Sequence, residues 1–161
     1  MQLNLLGLTF HGNPFQSADE WSQKNDIGLL WQRFMALFKK YKFLLEKLTD
    51  KSRTSYELHY EPEDFVETTH LDIFVGLNQN RQGEIPLDFV VKPLPEICYL
   101  IFTSKLADKS KLEYFFQNWL QNKEVEYQQA YPYVIQLYDE RFRGMDDPSS
   151  VIEWMIPVVE R

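Results

Sequence analysis

Two carboxylates, two tyrosines and an amide hold the most suggestive chemistry in this sequence: Asp72, Glu153, Tyr99, Tyr138 and Gln136. Each falls in a run of alternating residue types, so a strand would send each to a definite face. Along "YPYVIQLYDERF", residues 131–142, Gln136 and Tyr138 share a face opposite Tyr133, Ile135 and Leu137. In "SVIEWMIPVV", Glu153 and Met155 oppose Ile152, Trp154, Ile156 and Val158. Tyr99 and Ile101 oppose Cys98, Leu100 and Phe102, while Asp72 and Phe74 oppose Ile73 and Val75. The face expected to be free of helices therefore collects Phe74, Tyr99, Gln136, Tyr138, Glu153 and Met155, with Asp72 at one edge.

An ordinary solvated face would carry Lys, Glu, Thr and Ser. This one is aromatic with two carboxylates, which suits an amphipathic ligand and a lipophilic cation in particular. Aromatic faces attract cations by roughly 0.5–2 kcal/mol each, more when desolvated. One buried carboxylate would add charge complementarity, and such pockets need few polar groups. Glu153 is the expected charge partner and Asp72 the second choice; Gln136 offers hydrogen bonds without charge. The alternative for Glu153 is a solvated carboxylate or one paired with Arg141 or Arg143, and Tyr99 and Tyr138 also suit the partly buried edge of a core. Tyr99, Glu153 and a water could serve as acid and base, although nothing in the sequence demands it. The histidines His11, His59 and His70, with Cys98, show no metal-ligand spacing. There is no G-x-S-x-G and no glycine-rich phosphate loop. No metal and no cofactor are expected.

These residues need elements to position them. The clearest is a long amphipathic helix from Asn25 to Asp50, in which Ile27, Leu30, Trp31, Phe34, Phe38, Tyr41, Leu45 and Leu48 recur at three- and four-residue steps. Asn25 or Asp26 suits its cap, Lys39, Lys40 and Lys42 its solvated side, and Trp31 reads as core. A second helix over "DKSKLEYFFQNWLQN" has Asp108 as its cap and Leu112, Phe115, Phe116, Trp119 and Leu120 as its stripe. Strands are expected at "LNLLGLTFHG", "YELHYE", "HLDIFVGL", "FVVKP", Ile97–Thr103, the stretch from Tyr133, and "SVIEWMIPVV". Residues 13–25, with Pro14 and Ser17, read as loop. The acidic run Glu57, Glu61, Glu63, Asp64 and Glu67 reads as a solvated hairpin, which over a groove would steer cations. Both halves run strand, helix, strand, strand. The expectation is one α+β domain over 1–161, with modules at about 1–80 and 86–161. Its antiparallel sheet would carry two helices on one side and a ligand groove between the modules.

An apolar fraction of 44% predicts folding, and 161 residues are enough to bury a core. The net charge of −7 argues against a nucleic-acid surface. Cys98 is the only cysteine, which excludes an internal disulfide, and its apolar run predicts a small core residue. No apolar run reaches the roughly 18 residues of a membrane span, and no signal peptide is evident. A cytoplasmic protein without a membrane or direct nucleic-acid partner is expected.

Six stretches in order, "IGLLWQRFM", "DIFVGL", "PLPEICYLIF", "NWLQN", "IQLYDERF" and "IEWMIPV", resemble the gyrase-inhibitor-like domains, also known as the bacterial effector-binding domain of AraC- and MerR-type transcription activators. The resemblance spans nearly the whole chain. It implies a duplicated strand-helix-strand-strand fold and a groove for amphipathic, often cationic, molecules, as in multidrug binding. An acidic residue on a central strand among aromatics serves that groove. With no length left for a DNA-binding segment, a stand-alone member is expected. Some stand-alone relatives are implied to hydrolyse strained cyclopropane compounds, a role Glu153 would fill here, and gyrase inhibitors contact a protein. A protein partner or a homodimer is therefore open. The family's strand motif usually has Glu where this chain has Gln136, Ile97 stands at a usual Gly, and Met155 at a usual Tyr. The defining carboxylate does not carry over to Gln136.

Overall fold

The computed structural model describes residues 2–16, 24–49, 54–122 and 126–161. Ser17 and the side chains of Leu112, Phe115 and Leu120 lie outside the described residues. The elements run β1 (Asn4–Gly12), α1 (Asp26–Leu48), β2 (Ser55–Tyr60), α2 (Phe65–Thr68), β3 (Leu71–Asn78), β4 (Val90–Pro93), β5 (Cys98–Lys105), α3 (Lys109–Gln121), β6 (Tyr127–Gln129), β7 (Tyr133–Tyr138) and β8 (Val151–Glu160). The α+β architecture expected from the patterning is the one observed. Its sheet has eight strands, all antiparallel, in the order β4-β1-β3-β2-β7-β8-β5, with β6 beside β8.

Helix α1 forms because its apolar stripe meets a sheet face. Leu30, Phe34, Leu45 and Leu48 are buried against Leu6, Leu8, Ile73 and Val75. The Oδ1 of Asn25 accepts the Gly28 N–H at 2.9 Å, closing the first turn. Helix α3 covers the same face over β5 and β8, where Phe116 packs with Phe102 and Trp154. Trp119 meets Phe102 at 5.9 Å between ring centroids, half-buried as part of that packing. The central strands β2 and β7 run between the two helices, and the order β1-β3-β2 on one side mirrors β5-β8-β7 on the other.

The opposite face is also dry. Leu3, Leu5, Leu58, Phe74, Leu94, Tyr133, Ile135 and Met155 form a core of their own, although no long helix covers them. The chain supplies the reason. Strands β4 and β5 are opposite edges of the sheet, yet only residues 94–97 separate them. Such a link reaches no further than about 3.6 Å per residue. The sheet must curl until its edges approach, and the helix-free face becomes the concave interior. Gly7 and Gly76 face each other in the β1–β3 ladder. A Cβ on Gly7 would lie 1.9 Å from the Val75 carbonyl oxygen, so this close strand contact requires glycine.

Two expectations need correction here. Cys98 is exposed, because it opens edge strand β5 ahead of the portion that Phe116 and Trp154 cover. The acidic stretch holds a short helix, α2, and its members do not share one environment. Glu61, Glu63, Asp64 and Glu67 are exposed, whereas Glu57 is buried at 5% exposure.

Candidate functional site

Register decides which candidates meet. In the β2–β7 ladder Glu57 pairs with Gln136, and Leu58 with Ile135. In the β7–β8 ladder Gln136 pairs with Trp154, Ile135 with Met155 and Leu137 with Glu153. Ladder partners project to the same face. Gln136 and Tyr138 therefore join Glu57, His59 and Trp154 on the face beneath the helices. Phe74, Tyr99, Glu153, Met155 and Asp72 project from the other side. The single surface expected to gather all seven is two surfaces, because alternation within each strand leaves the relative phase of the strands open.

On the concave side, Phe74 and Met155 are each 1% exposed and wholly within the core. The Tyr99 hydroxyl meets that of Tyr133 at 2.9 Å; burial raises the pKa of both phenols, that of Tyr133 strongly. Asp72 binds the His11 Nδ1 at 2.6 Å at the rim. Glu153 is bound by the Arg141 guanidinium, which also grips Asp139. That guanidinium holds the Asp139 carboxyl below its usual range. Neither carboxylate on this side is left uncommitted.

Beneath the helices the arrangement differs. Glu57 lies on a central strand with its side chain 6% exposed. One of its oxygens, Oε2, accepts the Trp31 indole N–H from α1. The other, Oε1, lies 2.6 Å from His59 Nε2, two residues along the same strand. Tyr138 is buried, and its hydroxyl donates to Gln136 Oε1 at 2.7 Å. Burial first, and then the Glu57 charge, push the Tyr138 pKa well above its ordinary value. The ring of Trp31 meets Tyr138 edge-on at 5.6 Å, and Phe142 meets Tyr138 at 4.7 Å. Among the described residues, neither a lysine nor an arginine pairs with Glu57. The hydrogen-bond partners of this enclosed carboxylate are thus an indole and an imidazole, with the Gln136 amide across the ladder and the Tyr138 phenol beside it.

Sequence reasoning missed Glu57, and it read Trp31 as core only. The available signal was the pairing of Glu57 and His59 at alternate positions of "SYELHY", one face of a strand whose other face is apolar and aromatic. An open depression of about 280 Å³ lined by Gln129, Ala130, Tyr131 and Pro132 lies at the β6–β7 turn, outside this cluster. Among the described residues, no group of three or more His, Cys, Asp or Glu side chains could hold a metal ion. No helix there is long and apolar enough to cross a membrane.

The integron-associated effector binding proteins, Cass2, match residues 4–158 of the chain. The protein belongs to this family. The resemblance to gyrase-inhibitor-like effector-binding domains is thus upheld, and solved structures agree on the fold. SAV2435, solved bound to tetraphenylphosphonium, superposes with a TM-score of 0.67 at 16% identity over 98% of this chain and 89% of that one. The integron cassette protein VCH_CASS2 from the mobile metagenome of Vibrio cholerae gives 0.54 at 18% identity over 98% and 91%. EcmrR, solved on DNA, gives 0.61 at 14% identity over 99% of this chain and 55% of its own. No curated protein gives a match. Within this family's fold, Glu57 stands directly across the ladder from Gln136, the place where the resemblance expects a carboxylate.

Proposed function

We propose that this protein binds an amphipathic organic cation in a groove between α1 and α3, with Glu57 as the charge partner. Trp31, Tyr138 and Phe142 would be its aromatic walls and Gln136 its neutral hydrogen-bonding group. The modules at about 1–80 and 86–161 would supply one central strand each. The observation behind this reading is Glu57 itself, an enclosed carboxylate that no lysine or arginine of the described residues neutralises. The tetraphenylphosphonium bound to SAV2435 supports the ligand class. Glu153 is paired with Arg141, so a hydrolase built on that carboxylate has no support. Because the Trp31 indole sits on the carboxylate, ligand entry requires that side chain to turn aside.

Tetraphenylphosphonium and a neutral triaryl compound, titrated by calorimetry, test the reading. Glu57→Gln should weaken the cation by about 30-fold or more, the lower end of the roughly 2–5 kcal/mol cost of unpairing a desolvated charge contact, and should leave the neutral compound nearly unchanged. Equal losses for the two ligands would remove Glu57 as the charge partner.

A further inference from the structure

The Glu57 carboxylate already has an occupant that can carry charge. His59 Nε2 lies 2.6 Å from Glu57 Oε1, and because the carboxylate only accepts, that nitrogen bears the proton in the bond. The contact is the same whether the ring is neutral or an imidazolium, but the charge is not. With the ring neutral, the pair carries a net negative charge in an enclosed site. With the ring protonated, the pair is neutral and gives a cationic ligand little to meet. Imidazole is the side chain that ordinarily makes this change between about pH 5 and 8. His59 also has a route for its proton, since its side chain is 25% exposed while that of Glu57 is 6% exposed.

The surroundings leave few other groups to absorb such a change. The neighbours of His59 in the ladders are Ile73 on β3 and Val134 on β7, both apolar. Helix α1 presents the Trp31 indole, which is neutral. The titratable group that β7 contributes is the Tyr138 hydroxyl, which stays protonated through this range because burial pushes its pKa well above the ordinary value. The cluster thus combines one carboxylate with one imidazole.

We infer that His59 is an internal competitor for Glu57, so that the site releases a proton from the imidazole to solvent when it takes up a cationic ligand. This rests on the function proposed above and makes His59 a residue that sets specificity. At low pH the site favours neutral amphipathic compounds. Above the imidazole range it favours cations. Linkage is reciprocal, so bound cation must also make His59 harder to protonate.

Tetraphenylphosphonium keeps its charge at every pH and is the probe. Equilibrium dialysis from pH 5 to pH 8.5 should show its Kd falling by up to tenfold per pH unit in the lower part of the range, the limit for one proton displaced per ligand, and then levelling. His59→Gln should bind with a flat profile, as tightly at pH 5.5 as the parent protein does at pH 8. Glu57→Gln should be flat and weak. In the parent protein, nuclear magnetic resonance of the His59 ring should show its titration midpoint lowered by saturating probe; this readout does not depend on any variant folding. A flat profile in the parent, a parental slope retained in His59→Gln, or an unmoved His59 midpoint would each overturn the inference while cation binding stood. Failure of the probe to bind at pH 8.5 would overturn the proposed function, and this inference with it.

Discussion

At the scale of single residues, a desolvated carboxylate is expensive to keep, and Glu57 is attended by donors that carry no fixed charge. Glu153 shows the opposite solution. It is held with Asp139 by one arginine near the surface, where such pairs contribute at most about 1 kcal/mol. Arg141 lowers the folded-state pKa of Asp139, so the stabilisation is complete above the ordinary carboxylate range and is lost as pH falls through the lowered value. Arg141→Gln should move the Asp139 titration upward in a carboxyl-detected magnetic resonance experiment. It should reduce stability near neutral pH by less than about 1 kcal/mol and leave acid stability unchanged. An unmoved Asp139 midpoint would count against that pairing. The contrast also explains what could be read in advance. Arg141 follows Asp139 closely in sequence, and a pairing with Glu153 was among the readings available. The pattern of "SYELHY" places Glu57 and His59 on one face, but the enclosure of Glu57 is not legible there, because the residues around it, Trp31 and Gln136, come from a distant helix and a distant strand.

At the scale of elements, the chain's periodicity fixed every long element, and the missing quantity was relative phase. The stripe from Ile27 to Leu48 became α1, and the alternation around Gln136 became β7. A strand shows which of its residues share a face, but only the ladder shows which face its neighbour matches. The pairing of Gln136 with Trp154 rather than with Met155 or Glu153 divided the expected site in two. Strand β6 was not legible either, since three residues offer too little alternation to see. Element ends matter to the site as well. Asn25 is 2% exposed and caps the turn that leads to Trp31. Asn25→Ala should cost about 0.5–2 kcal/mol in a denaturant titration. A loss below about 0.3 kcal/mol would show that the first turn does not need this cap.

At the scale of the whole molecule, the helices cover one face of a sheet whose other face is buried by its own curvature. In the β1–β3 ladder of that sheet Gly7 and Gly76 stand opposite each other. A Cβ on Gly76 would stand 2.3 Å from the Leu6 carbonyl oxygen, and the obstruction is backbone that cannot swing away. Gly76→Ala should therefore destabilise the protein by about 3 kcal/mol or more, visible as a large drop in the thermal midpoint. A midpoint within a few degrees of the parent would show that the two strands can separate at little cost. The concave core was hard to anticipate because an aromatic face without a helix over it looks like a binding surface. The edge-joining link "LPEI" was in view, but its meaning depends on knowing which strands form the edges.

Strand order also bears on how the protein is made. The sheet's first three strands, β1, β3 and β2, lie between β4 and β7, both of which come later in the chain. While a ribosome is still producing the second half, the first half has unpaired hydrogen-bonding edges on both flanks and an apolar concave face with nothing opposite it. Segments of that kind invite pairing with other chains. The amino-terminal half therefore gains little by folding early. Its two flanks are closed only after Tyr138 has emerged, when β7 can add to β2 and bring Gln136 opposite Glu57.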